Sequence, residues 1–424
     1  MIQRAQSSPP LSPTTMCSRC VVLVLGIGLS AQARASTATG ELELVQTALT
    51  QGVPQAQLQA IRAQGDADRV ASPLLENPVL EARRERANGP AGAATDVLGA
   101  SVQLGLGGHA EAEAARYRGH AAGAWLRAGE VQAICAIREG ALSLWLATER
   151  AQVAATAQQR LDTVLGLVDR LAQAGEIARH ERDFLGLTVA AHRHQVDATQ
   201  GQLLSSRSAV SAHAGVLVDG VQLLPLAPVG AGDAVVAEGL LADPTLIALR
   251  HERVAAEHAL VAARRAGLPD LTVSVGARWD AFPDGSSRTP GLDLGTGLSM
   301  PVFDRNQVDV GARRAALAAL DARIAHHESA LRGAISAAWQ RASALGPIPE
   351  AVATATFWTG ALDRFSAGES TIDDLLAAAT DLEAVEMGVL DGADLRRSAR
   401  LELSCATGAF PEPELRALFE EPNR

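Results

Sequence analysis

Two stretches in the second half of the chain alternate between apolar residues and polar or small ones. Within residues 271–281 the odd positions are apolar, as in Leu271, Val273 and Val275, and residues 292–302 alternate similarly across a linker rich in turn formers. Period-two alternation predicts strands with one apolar face. That face meets either the inside of a soluble sandwich or the hydrocarbon of a membrane, which a tilted strand of about 9–11 residues can cross.

Sequence markers recur in the same order in the two halves of the chain. The matched pairs, each separated by about 190 residues, are Pro54 and Pro244, Pro78 and Pro269, Gly105 and Pro301, and Gly175 and Gly368. The last pair lies in the segments AQAGE and FSAGE. The pattern predicts an internal duplication in which each half runs helix, two strands, long helix, AGE turn and helix.

The duplication also predicts how the chain is divided. The expected parts are a signal peptide at 1–35, a first repeat at 36–235 with strands within 79–106, a second repeat at 236–400 with strands within 271–302, and a C-terminal tail at 401–424. The first strand, VLEARRERA from Val79, is charged and fits no apolar face. We assign it as a strand because the repeat requires one there.

A long alanine-rich segment follows each pair of strands, at roughly 110–173 and 306–366. A continuous helix of some sixty residues would extend about 90–100 Å at 1.5 Å per residue. Helical patterns longer than about 25 residues are typical of coiled coils or extended helical arrays. The fold class is therefore predicted to be mainly α with a small β part, built on long helical hairpins.

The N-terminal region has the features of a secretory signal peptide. Arg4 and Arg19 precede the apolar run at 20–29, and small residues follow, which predicts cleavage after Ala33 or Ala35. After cleavage the chain would keep only two cysteines, Cys135 and Cys405, too few for a disulfide framework. No other run of 18 or more apolar residues occurs, so no membrane-spanning helix is predicted.

Charge and motifs argue against several functional classes. The formal net charge of -11 gives no basic surface for nucleic acid. The segment VQLGLGGHA imitates a dinucleotide-binding loop through Gly105, Gly107 and Ala110, but its counterpart SMPVFDRN lacks glycines, which argues against a bound nucleotide.

The ten histidines are scattered, and their only clusters are the pairs His192 with His194 and His326 with His327. No spacing typical of a zinc site occurs. Histidines on an alanine-rich helix are expected at the surface, where a metal exporter would use them for transient contacts at most. No catalytic motif is recognisable either. We therefore expect no catalytic, cofactor or metal site, and a protein that is not an enzyme.

Strands that cross a membrane must close into a barrel, because an open edge would leave backbone groups unpaired in lipid. Four strands per chain cannot close, since about eight is the usual minimum. Two copies would give eight strands and a filled interior, whereas three would give twelve and room for a passage. A trimer is the natural reading if the protein conducts anything.

Three segments together resemble the TolC family of outer membrane efflux proteins, in style closest to its heavy-metal branch typified by CzcC and CusC. They are MPVFDRNQVDVGARRAALAALDARI from Met300, LGLGGHAEAEAARYRGHA from Leu104 and RFSAGESTIDDLLAA from Arg364, and the resemblance covers roughly residues 41–400. It implies a homotrimer with a shared twelve-stranded transmembrane β-barrel in the outer membrane and a periplasmic α-barrel. It also implies passive conduction of small molecules or metal ions, delivered by a periplasmic adaptor and an inner-membrane pump that supplies the energy.

The resemblance further implies a periplasmic gate at the second AGE-type turn. Asp374 falls on a gate aspartate of the family motif with Asp373 beside it, Phe365 replaces a tyrosine, and Ser370 stands where an arginine latch can occur. Alternatively, the two carboxylates simply favour the first turn of a helix, whose N-terminus attracts negative charge.

Two other functions stay open at this point. One is a soluble periplasmic adaptor or scaffold in which the strands form a small sandwich. The other is a degenerate family member that does not conduct, because the first strand is charged and the strands lack a strong aromatic girdle.

Overall fold

The computed structural model describes residues 39–71, 79–86, 94–104, 108–226, 228–281, 289–299, 303, 305–346, 354–410 and 415. The helices are α1 (Glu41–Gln51), α2 (Val53–Ala71), α3 (Gly108–Ala174), α4 (Arg179–Ala214), α5 (Gly232–Ala242), α6 (Pro244–Arg265), α7 (Gln307–Ala344), α8 (Thr354–Ser366) and α9 (Ile372–Thr407). The strands are β1 (Thr39–Gly40), β2 (Val79–Arg86), β3 (Ala94–Leu104), β4 (Val221–Gln222), β5 (Asp270–Ala281) and β6 (Thr289–Ser299). The predicted signal peptide lies outside these residues.

Four of the strands form one antiparallel sheet in the order β2, β3, β5, β6. The alternating segments are strands as predicted, although residues 105–106 and 300–302 lie outside the described part of the chain. The charged first strand is also confirmed. Its Arg84 forms an ion pair with Asp96 of β3 at 3.2 Å, and Arg83 pairs with Glu85 within β2, so its charges have partners on both faces of the sheet.

The helix after the first strand pair is continuous, as predicted. α3 has 67 residues, which corresponds to about 100 Å at 1.5 Å per residue. Buried residues such as Ile134, Ile137, Ala141 and Leu144 follow one another at three- and four-residue steps, so one stripe of the helix faces its neighbours. None of the helices in the described ranges is long and apolar enough to cross a membrane.

The prediction of one helix over 306–366 was wrong. α7 ends at Ala344 with Leu345 in an extended conformation, and α8 begins at Thr354. The sequence between them contains Pro347 and Pro349. Proline lacks the backbone N–H that a helix requires and disfavours helical geometry in the residue before it, which explains the interruption.

The two AGE segments form the same turn. Gly175 and Gly368 have φ angles of 79° and 75°, in the left-handed region that glycine adopts without strain. Glu176 N–H donates to the carbonyl of residue 171, and Glu369 N–H donates to the carbonyl of residue 364, the bond of a Schellman motif in both cases. The internal duplication as a whole, like the domain boundaries, stays a prediction.

Three clusters of buried apolar residues lie among the helices. The first, which we call the helical base, joins α1, α3 and α4 around Leu44, Ile134, Leu144 and Val210. The second lies close to the AGE turns and joins α3, α4, α8 and α9. The third joins α7 to the last part of α9. The long helices therefore pack against each other without help from the sheet.

Candidate functional site

One face of the four-stranded sheet is apolar and exposed, apart from the Arg84–Asp96 ion pair near one end of it. Leu98 of β3 lies opposite Ala277 of β5, which in turn lies opposite Leu292 of β6. Because the strands alternate in step, other apolar residues on this face also lie beside one another. The large apolar residues exposed on this face are Leu80, Leu98, Leu271, Val273, Val275, Leu292, Leu294 and Leu298. Leu80 is 80% exposed and Leu294 is 71% exposed. A continuous exposed apolar surface of this kind marks contact with a membrane or another protein.

The opposite face of the sheet carries small and polar residues. Thr272 and Ser274 of β5 lie across from Gly297 and Gly295 of β6. Thr95 Oγ1 donates a hydrogen bond of 2.7 Å to Asp280, and Arg278 is paired with the same carboxylate at 2.8 Å. This face therefore suits water, so the two faces of the sheet suit different environments.

The sheet is open within a single chain. In the described part of the chain β2 and β6 each pair on one side only, which leaves a row of backbone N–H and C=O groups free on each outer edge. Such edges are templates for another strand.

The four predicted gate residues surround one turn. Phe365 lies near the end of α8 and packs partly buried against the second apolar cluster, whereas Ser370 lies in the turn itself. Asp373 and Asp374 are exposed in the first turn of α9. The structure thus brings the four residues together, without testing whether they act as a gate.

Asp374 has a definite local role. Thr371 N–H donates to Asp374 Oδ2 at 2.8 Å, and Asp374 N–H donates to Thr371 Oγ1 at 3.2 Å, which completes a capping box at the start of α9. The backbone hydrogen bond from Thr371, helped by the bond from its hydroxyl, lowers the pKa of Asp374. The helix-terminus interpretation therefore has a geometric basis for Asp374, while Asp373 is free of the box.

A polar network joins α3, α4 and α9 beyond the turns. Arg160 donates two hydrogen bonds to Glu386, at 2.7 and 3.0 Å. The ring of His192 lies between Gln158 Oε1, at 2.9 Å, and Glu383 Oε2, at 3.0 Å. These side chains are largely buried, so the two sets of hydrogen bonds hold the three helices in a fixed register.

The expectation that the clustered histidines lie at the surface was wrong for His192, whose side chain is only 9% exposed. It lies on the side of α4 that faces α3 and α9. His194 and His326 are exposed as expected, and the half-buried His327 contacts Asp243 at 3.0 Å. No three metal-ligating side chains within the described ranges are placed to hold a metal ion.

The helical base contains two long-range links that sequence reasoning missed. Arg138 donates to Glu41 Oε1 at 2.5 Å in a buried ion pair, and the other oxygen of Glu41 accepts the Leu224 N–H at 2.7 Å. Cys135 of α3 and Cys405 of α9 form a disulfide with a Cα–Cα distance of 5.9 Å. The predicted export was the available signal for this bond, because disulfides persist in oxidising compartments.

Comparison with solved structures identifies the fold. The chain is similar to the Campylobacter jejuni CmeC outer membrane channel, with a TM-score of 0.68, 14% identity and coverage of 98% of this chain and 97% of that one. It is also similar to the outer-membrane channel OprN, with a TM-score of 0.67, 18% identity and coverage of 87% and 90%. For CusC, a transmembrane channel, the values are 0.63, 17%, 90% and 96%.

The chain therefore has the fold of these outer membrane channels, the TolC-like architecture that the sequence resemblance implied. No protein-family profile matches the sequence. No curated protein matches it in sequence either.

Proposed function

We propose that this chain is a TolC-family outer membrane channel that conducts exported small molecules or metal ions passively from the periplasm to the exterior. The observation that carries the proposal is the exposed apolar face of the four-stranded sheet, together with the 67-residue helix α3 that follows β3 in the sequence. The strands of the sheet fit the thickness of a membrane, and α3 is long enough to extend far beyond it. The similarity to solved outer membrane channels supports the same reading.

The open edges of the sheet support a homotrimer. β2 of one copy pairing with β6 of the next would satisfy both edges, and three copies would give a closed twelve-stranded barrel in the lipid of the outer membrane. The face with Ser274, Arg278 and Asp280 would then line the interior. A periplasmic adaptor and an inner-membrane pump would deliver the cargo, because a passive conduit supplies no energy of its own.

Reconstitution of the purified protein into planar lipid bilayers tests this function. We expect detergent-extracted trimers that insert and give stepwise conductance. A monomer released by osmotic shock that never inserts would instead support a soluble scaffold. A trimer that inserts but stays closed under all conditions would support a degenerate, non-conducting member of the family.

We also propose that the second AGE turn forms the periplasmic gate, with Asp373 and Asp374 as its charged ring and Phe365 and Ser370 beside it. The location of all four residues around one exposed turn supports this proposal. We expect Asp373→Ala and Asp374→Ala each to raise the resting conductance of reconstituted trimers. Thr371→Val is the matched control, because it breaks the capping box but keeps both carboxylates.

The control separates the two roles of Asp374. If Thr371→Val raises the resting conductance as much as Asp374→Ala does, capping of α9 explains the effect and the gate charge does not. Unchanged resting conductance in Asp373→Ala would contradict the proposal that Asp373 belongs to a charged ring at the gate.

A further inference from the structure

A cavity of about 250 Å³ lies between α3, α5, α9 and the segment that precedes α5. Its walls include the apolar side chains of Leu142, Leu223, Leu226, Val229, Val235 and Leu401. The charged side chains that also line it are Glu41, Arg138, Glu238, Arg397 and Arg400. Small-molecule sites in proteins combine such walls with a few polar groups that orient the ligand.

The cavity wall contains a cation, Arg397, that is hydrogen-bonded to no carboxylate in the described part of the chain. Arg397 places its guanidinium 5.2 Å from the centre of the Trp145 ring and donates through Nη1 to the carbonyl of Leu224 at 3.2 Å. Its Nε is buried without a hydrogen-bond partner. Among the residues that the structure describes, Glu41 is the carboxylate whose charge acts on Arg397, without a hydrogen bond between the two. Burial lowers the pKa of Arg397, and the charge of Glu41 only partly opposes that effect.

The carboxylates that line the cavity do not accept a hydrogen bond from Arg397. Both oxygens of Glu41 are engaged, one with Arg138 and the other with the Leu224 N–H. Glu238 also lines the cavity but is exposed, where water screens its charge. A partly buried guanidinium without a matched anion is unfavourable, and an unsatisfied buried donor adds to that cost.

We propose that this cavity binds a small amphiphilic anion, with its carboxylate or similar anionic group at Arg397 and its apolar body against the leucine and valine side chains. The anionic group would supply both a counter-charge and an acceptor for Arg397 Nε. Such a site is separate from the sheet and from the AGE turn, so it does not rest on the conduction proposed above.

Hexanoate is a suitable probe because it combines one carboxylate with a short apolar chain. We would measure its binding by equilibrium dialysis to the full chain in lipid nanodiscs, with empty nanodiscs as the background. We expect saturable binding of one hexanoate per chain, and much weaker binding of hexanol and acetate. Arg397→Gln should weaken hexanoate binding at least tenfold.

Arg396→Gln provides the matched control. Arg396 is the neighbour of Arg397 on α9, donates to the carbonyls of Gly346 and Gly392, and does not line the cavity, so hexanoate should bind this variant as it binds the native chain. Val229→Phe is a second variant. It places a larger side chain in the cavity from the segment that precedes α5 and leaves Arg397 in place. It should also weaken binding at least tenfold.

Three results would overturn the proposal. They are hexanoate binding no greater than to empty nanodiscs, hexanol binding as strong as hexanoate binding, and equal hexanoate affinity in native, Arg397→Gln and Val229→Phe proteins. Conductance of the same nanodisc preparations, measured after transfer to bilayers, reports on the channel separately, so failure of one proposal leaves the other standing.

Discussion

The four-stranded sheet and the helical base differ in how each hides its apolar residues. In the helical base Leu44, Ile134 and Leu144 are fully buried by neighbouring helices of the same chain. In the sheet Leu292 and Leu294 remain about 70% exposed, and the described residues of one chain provide nothing to cover them. The helices therefore contain their own core, whereas the apolar face of the sheet requires a surrounding medium, which we propose to be lipid.

The largest effect on membrane assembly should come from a charge on the apolar face of the sheet. Val275→Arg would place a guanidinium in the proposed lipid-facing surface, at a cost of about 2–4 kcal/mol in each copy near the middle of a bilayer. We expect loss of detergent-extractable trimers from the outer membrane fraction, measured by native electrophoresis. Ser274→Arg is the control, because Ser274 lies next to Val275 but on the opposite face, which already carries Arg278. Equal loss of trimers in both variants would refute the assignment of faces.

The helical base should be most sensitive where its charge is buried. Glu41→Ala removes the carboxylate that pairs with Arg138 and accepts the Leu224 N–H. Breaking a buried ion pair costs about 3–5 kcal/mol, so the free energy of unfolding should fall by that amount while trimers still form. Glu43→Ala, in the same first turn but exposed, should leave it nearly unchanged. Equal effects of the two variants would show that the ion pair is unimportant.

Removal of the disulfide should have a smaller effect in the same region. Cys135→Ser with Cys405→Ser opens a link between residues 270 positions apart, and native disulfides typically stabilise proteins by about 2–4 kcal/mol. We expect a lower midpoint of unfolding in denaturant and an intact sheet. A reductant should lower the midpoint of the native protein to that of the double variant, and no response to reductant would contradict the bond.

The smallest effect concerns the start of α9. Because the pKa of Asp374 is lowered in the folded protein, its contribution to stability is complete above the unfolded pKa of about 3.9 and is lost as the pH falls through the folded value. Amide hydrogen exchange in the first turn of α9 should therefore accelerate only in that acidic range. Asp374→Asn should shift or remove this pH-dependent change in exchange rate. If Asp374→Asn leaves the change unaltered and Asp373→Asn removes it, the titrating group is Asp373 instead.

The sequence predicted those features that arise from local patterns. Alternation predicted β5 and β6, the repeated markers predicted the charged strand β2, and the AGE segments predicted two turns that have the same hydrogen bonds. The interruption of the second long helix was also local, since Pro347 and Pro349 are visible in the sequence, but the alanine-rich composition around them suggested a continuous helix.

The remaining features depend on how distant segments meet. His192 is buried because α4 turns that side toward Gln158 of α3 and Glu383 of α9, and the lateral register of three helices cannot be read from the sequence of any one. The same is true of Cys135 with Cys405 and of the cavity beside Arg397.

The medium around the sheet can be measured directly with spin labels on Val275→Cys and Ser274→Cys, two adjacent residues whose side chains point to opposite faces. In reconstituted protein we predict that the label at residue 275 collides mainly with oxygen, which concentrates in lipid, and that the label at residue 274 collides mainly with a water-soluble nickel complex. Equal access of the nickel complex to both labels would contradict the claim that the apolar face of the sheet lies in a membrane.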